Sequence, residues 1–146
     1  MRLRLVSSAL VAITTLAAAP TAFAGSTDPC VLITAKDAAK VLLATPAQSK
    51  TKKAGAFQTC SYASGGKTVT VKTRKVAKLA DFTKGVKSGY DQMFPLPKVG
   101  DAAFVAMDGK TLLVWSKGVE ITFLFGGVSP FVATQQDLGK TAAGRL

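Results

Sequence analysis

Histidine is absent from this 146-residue sequence, glutamate and tryptophan each occur once, and cysteine occurs twice. Without His there is no Ser-His-Asp or Cys-His nucleophile system, no zincin motif and no imidazole base titrating near neutral pH. Two Cys cannot build a four-thiolate zinc or iron–sulfur centre. No cofactor and no metal site is expected, and the chain reads as a binding protein rather than an enzyme. Its length allows one domain. What it has in excess is positive charge, with 19 Lys+Arg against 8 Asp+Glu and a formal net charge of +11.

The N-terminus carries an address. Met1-Arg2-Leu3-Arg4 is a short basic segment, residues 5–19 are apolar, and Ala22-Phe23-Ala24 before Gly25 is an A-x-A cleavage site. That order is the grammar of a secretory signal peptide over residues 1–24. The apolar run is too short for the roughly 20 residues of a membrane span, so no transmembrane segment is expected after cleavage. An exported product, periplasmic or extracellular, follows. It loses Arg2 and Arg4 and carries +9 in place of +11. In an oxidising compartment Cys30 and Cys60 suit one disulfide, closing a loop of about 30 residues and contributing about 3–4 kcal/mol in the chain-entropy model. Neither Cys has the His partner or Cys-x-x-Cys spacing of a catalytic thiol.

Residues 25–29 read as an exposed linker, and 30–146 as the domain. Thr34 followed by Asp37 is an N-cap signature, Ala38, Val41 and Leu42 share one helical side, and Pro46 ends the helix. The cationic stretch 47–55 has no period and is expected as a mobile loop. Residues 57–63 and 68–74 form a hairpin through Ser64-Gly65-Gly66-Lys67. Leu79, Phe82, Val86 and Tyr90 fall at helical spacing, with Gly85 a weak point. After the extended Phe94-Pro95-Leu96-Pro97, strands over 102–107, 110–115 and 119–125 turn at Asp108-Gly109 and Ser116-Lys117-Gly118. A last helix over 130–146 is expected to break near Gly139. The sum is an α+β domain: a single antiparallel sheet of about five strands, helices packed mainly on one face. Trp115, Phe104, Phe123, Phe125 and Phe131 are expected in its core, with a ligand cavity as the alternative.

Three short motifs fail on context. Gly66-Lys67-Thr68 lacks the earlier Gly of a phosphate loop, where Ser61 stands, and precedes a strand. Ser64-x-x-Lys67 lacks the partner motifs of the serine acyl enzymes, and Gly127-Val128-Ser129-Pro130-Phe131 lacks the closing Gly of a nucleophile elbow. The carboxylates fall at turns and caps, Asp101 and Asp108 being the nearest to a pair, and alternation sends Glu120 to the wet face.

The cations are the candidate site. Lys50, Lys52 and Lys53 share one loop, while Lys67, Lys72, Arg74, Lys75, Lys78, Lys84 and Lys87 crowd a hairpin strand and the next helix, opposed there by Asp81 alone. Such a face attracts anions. An exported protein meets lipid headgroups, lipopolysaccharide and wall polymers first, and stacking platforms for single strands reduce to Tyr62, Phe82 and Tyr90, so no specific nucleic-acid partner is expected. A protein partner, such as a secreted hydrolase that the chain would inhibit, is the alternative, contacted through Pro95 and Pro97. A monomer is expected.

Pro29-Cys30-Val31-Leu32-Ile33-Thr34, Asp37-Ala38-Ala39, Cys60-Ser61-Tyr62 and Val99-Gly100-Asp101-Ala102-Ala103-Phe104 together resemble a family of small exported bacterial domains of unknown function, common among actinobacterial cell-envelope lipoproteins. The resemblance spans roughly 29–146. It implies a Cys30–Cys60 disulfide and an α+β domain, and supplies no catalytic residues. The chain departs from that pattern in lacking a lipidation Cys, and Leu42-Leu43-Ala44 stands where the helix often ends in Leu-Gly.

Overall fold

The structure, a computed structural model, describes residues 25–146, and the basic, apolar and A-x-A segments of residues 1–24 lie outside the described residues. Two short helices open it, α1 (Pro29–Leu32) and α2 (Ala35–Leu42). Strands β1 (Ala47–Gln48), β2 (Lys52–Ala54), β3 (Phe57–Ser64) and β4 (Lys67–Lys75) follow. Helix α3 (Leu79–Gly89) leads to β5 (Met93–Pro95), β6 (Ala102–Ala106), β7 (Thr111–Ser116) and β8 (Val119–Gly126), and α4 (Val132–Arg145) closes the chain. All the strands join one antiparallel sheet in the order β1-β3-β4-β8-β7-β6-β5, with β2 also pairing β3.

The sheet has eight strands rather than about five. The five long strands stand where alternation puts them. The additional three, β1, β2 and β5, are two or three residues long and form where backbone pairs with the outer strands β3 and β6. Alternation over so short a span carries no signal, so residues 47–55, expected as a loop, instead form a margin of the sheet. Gly65 and Gly66 both adopt positive φ, 55° and 76°, the backbone that a two-residue hairpin turn demands.

Three of the four described helices cover one face. There Val69, Val71, Ile121, Phe123, Leu112 and Val114 meet Leu32, Ile33, Val41 and Leu42 of α1, α2 and their junctions, and Leu138 of α4. Burial at this scale contributes about 1.5–3 kcal/mol per large side chain. Helix α4 runs through Gly139 without the expected break. A Cβ there would lie 2.5 Å from Val99 Cγ1 and 3.2 Å from Val114 Cγ2, so the glycine lets the helix settle onto β7. Phe131 does not join the core: it stands 86% exposed, past the end of the sheet, immediately before α4.

The disulfide joins Cys30 and Cys60, with Cα atoms 5.3 Å apart, and pins α1 to β3. Residues 25–28 are half-buried rather than an exposed linker. Asp28 caps α1, its Oδ1 accepting from Cys30 N at 2.9 Å and from Thr51 Oγ1 at 2.5 Å, and Thr73 Oγ1 donates to the Thr27 carbonyl at 2.8 Å. Tyr62 donates to the Ile33 carbonyl from full burial. Burial, reinforced by the charges of Asp37 and Asp28, pushes its phenol up to about 12.

Thr34 and Asp37 form a reciprocal capping box at the start of α2. Arg145 Nη1, from the last turn of α4, donates to Asp37 Oδ2 at 2.6 Å and to the Leu32 carbonyl at 2.8 Å. Burial disfavours the Asp37 carboxylate, but the hydrogen bonds from Arg145 and Thr34 outweigh it and hold the group below its ordinary value. A depressed folded pKa contributes stability that is present above the unfolded value and lost as pH falls through the folded one. Chemical unfolding followed downward from about pH 5 should therefore show stability declining below the ordinary carboxylate range, and Asp37→Asn should flatten that decline.

Leu43 ends α2 in the left-handed region at φ 54°, 82% exposed. A left-handed Leu costs about 1–2 kcal/mol that Gly avoids. Leu43→Gly should raise the unfolding free energy by about 1 kcal/mol, measured as a higher denaturant midpoint with an unchanged slope.

Candidate functional site

The sheet's second face carries α3. Phe82 and Val86 of that helix pack on Leu113, with Phe104 and Trp115 alongside, and the Trp115 indole donates to the Val76 carbonyl at 2.7 Å. Alternation along β4 puts Lys72 and Arg74 on this face and Lys67 and Lys75 on the other, at the strand ends. The register continues the pattern across strands. Lys52 lies opposite Thr59, Thr59 opposite Lys72 and Lys72 opposite Thr122, so Lys52 and Lys72 flank one threonine about 10 Å apart.

The expected cations divide. Lys72 and Arg74 line one cavity beneath α3, and Arg74, Lys75 and Lys84 line a neighbouring open hollow with Asp81. Lys84 and Lys87 also share a third hollow on the helix's outer side. Lys52 and Lys53 are exposed on β2, Lys50 just before it, and Lys78 precedes α3. Lys67 belongs to the far end of β4, at the turn, and stands apart from the rest.

Arg74 is not a free cation. Its Nη2 lies 2.7 Å from Glu120 Oε2, and its guanidinium sits 5.0 Å from the centre of the Phe57 ring. Glu120, expected on a wet face, is 6% exposed because α3 and Arg74 cover it, and Thr122 Oγ1 donates to its other oxygen at 3.4 Å. Tyr90, just past α3, borders the same cavity. Burial and the Glu120 charge raise its pKa, partly offset by Arg74. Sequence reasoning placed Arg74 in the site but missed Glu120, Tyr90 and Gly85 of the cavity wall. The signal for Glu120 was available: a lone Glu in an otherwise apolar and hydroxylic strand. Its partner depends on the Arg74↔Glu120 register, a pairing 46 residues apart in sequence.

The carboxylates do not gather. Glu120, Asp81 and Asp101 each line a different hollow, and among the described residues no three His, Cys, Asp or Glu side chains are placed to hold a metal.

Breaking a buried ion pair costs about 3–5 kcal/mol, less here because the Arg74 side chain is 36% exposed. Glu120→Gln should lower the unfolding free energy by about 2 kcal/mol. The double change Arg74→Met with Glu120→Leu should lose less than that single one, a comparison read from urea denaturation.

Comparison with protein-family models, with curated proteins and with solved structures found no match to this chain.

Proposed function

We propose that the chain is an exported, non-enzymatic cell-envelope domain that holds an anionic component, a lipid headgroup, lipopolysaccharide or wall polymer, on the cationic side formed by β2, β4 and α3. On this reading it is a monomer, working outside the cytoplasm, and sits with the small exported domains its motifs resemble. The observation that carries the reading is the set of outer lysines on this side, Lys52 of β2 and Lys84 and Lys87 of α3, with Lys75 sharing a hollow with Lys84 at the end of β4 and Arg74 already neutralising Glu120. Single-stranded nucleic acid fits less well, because two of the three aromatic platforms, Tyr62 and Phe82, are buried.

A second reading has its own support. Pro95, Leu96, Pro97 and Phe104 line an open hollow of about 510 Å³ at the β5 end of the sheet, next to Phe94, which is 51% exposed. A protein partner such as a secreted hydrolase would dock there.

A lysine near an anionic bilayer contributes about 1 kcal/mol. Lys84→Gln with Lys87→Gln should therefore weaken binding to phosphatidylglycerol vesicles about thirtyfold, and added salt should weaken the parent protein steeply. Phe94→Ser should leave vesicle binding intact. Absence of retention at low salt on vesicles, lipopolysaccharide and teichoic-type polymer alike would overturn the proposal.

A further inference from the structure

The cavity between α3 and the sheet has features that a surface polyanion does not use. It encloses about 150 Å³, a size that admits a benzene-sized molecule. Its walls are of two kinds. Val86, Leu113 and Leu124 supply apolar surface, and Lys72, Arg74 and Tyr90 supply cations and a hydroxyl. Arg74 meets Glu120 through Nη2 alone, and its Nε–H is buried with no partner among the described residues. A buried donor left unpaired is costly, so a small shift of Arg74 that brings an acceptor to it would relieve that cost. Lys72 and Arg74 against Glu120 leave one net positive charge, which suits a monoanion better than a dianion.

Gly85 is a second, independent pointer. A glycine inside a helix is destabilising by about 1 kcal/mol relative to Ala. The protein's own packing does not require it here: a Cβ at Gly85 would meet only Arg74 Nη2, at an ordinary 3.9 Å, and its φ is not left-handed. What the missing side chain does is leave space above Arg74 on the cavity side of α3.

We infer that this cavity is a binding site for a small organic monoanion, its carboxylate held by Lys72 and the Arg74 guanidinium and its apolar body by Val86, Leu113 and Leu124. The site is distinct from the outer lysines of the polyanion proposal and stands or falls separately. Benzoate, a ring of the right size bearing one carboxylate, is the probe.

The test is a titration of the ¹⁵N-labelled protein with benzoate, followed at the Arg74 Nε–H and Gly85 amide resonances. Saturable shifts at both are expected. Benzamide, of the same shape without the charge, should bind at least about tenfold more weakly, and Lys72→Gln should cost about the same factor. Gly85→Leu should abolish binding by filling the cavity. Gly85→Ala, which meets no close contact, guards against misfolding and should still weaken binding measurably. Lys84→Gln with Lys87→Gln should leave benzoate binding unchanged while reducing vesicle retention, so each proposal fails on its own readout. Unsaturable shifts, equal affinity for benzamide, or tighter binding of inorganic phosphate than of benzoate would overturn the inference.

Discussion

The pairing of β4 with β8 is the constraint on which the rest of this molecule depends. Eight residue pairs, from Thr68↔Gly126 to Lys75↔Val119, fuse an N-terminal hairpin to a C-terminal meander and turn two small ribbons into one sheet. Each ribbon alone, β1–β4 or β5–β8, holds only part of the apolar face on which the helices pack, since Val69 and Val71 belong to one and Ile121, Phe123, Leu112 and Val114 to the other. Once paired, one side aligns Val69 and Val71 with Phe125 and Phe123, and the other aligns Lys72 with Thr122 and Arg74 with Glu120. A slip of one residue would send every one of these side chains to the opposite face. Gly126 protects the register locally, because a Cβ there would fall 2.4 Å from Thr68 Oγ1.

The two faces are then used differently. The first is closed: α1, α2 and α4 cover it, and three long-range ties lock them, the Cys30–Cys60 bond, the Tyr62 hydrogen bond to Ile33 and the Arg145 contacts to Asp37 and Leu32. Each tie joins parts of the chain far apart in sequence, so each reduces the freedom of the unfolded chain or of the helix ends. The second face carries only α3, whose apolar side covers the β6–β7 region through Phe82 and Val86. Toward β4 and β3 the helix reaches less far, and the gap beneath it holds the ion pair, Lys72 and the cavity. That gap exists because one helix is too narrow to cover an eight-stranded sheet.

Where a local pattern decides the structure, the residues declare it. Thr34 and Asp37 announce the start of α2, Gly65-Gly66 and Asp108-Gly109 announce hairpins, and the alternation of Val119, Ile121, Phe123 and Phe125 announces a strand with one apolar side. Where the structure is made by a neighbour, they do not. Ala47–Gln48, Lys52–Ala54 and Met93–Pro95 are strands only because β3 and β6 offer unpaired backbone beside them. Gly139 reads as a helix breaker until β7 is seen pressing against it, and Leu43 holds a left-handed backbone that its side chain disfavours. Glu120 reads as a wet-face residue until α3 lies over it.

By itself, the sequence determined the class of molecule: α+β, built on five long strands, free of imidazole chemistry, strongly cationic and joined by two cysteines. These follow from composition and from periods of two and 3.6 residues, which act over a few neighbours. Only the tertiary structure decided where each cation lies and what it meets. Arg74, counted among ten positive charges, is neutralised by a residue 46 positions away, Lys67 is carried to the far end of its strand, and Lys72 is turned inward beside an apolar cavity. The reason is that electrostatics depends on distances of a few ångströms through space, and those are set by strand register and helix placement rather than by order along the chain.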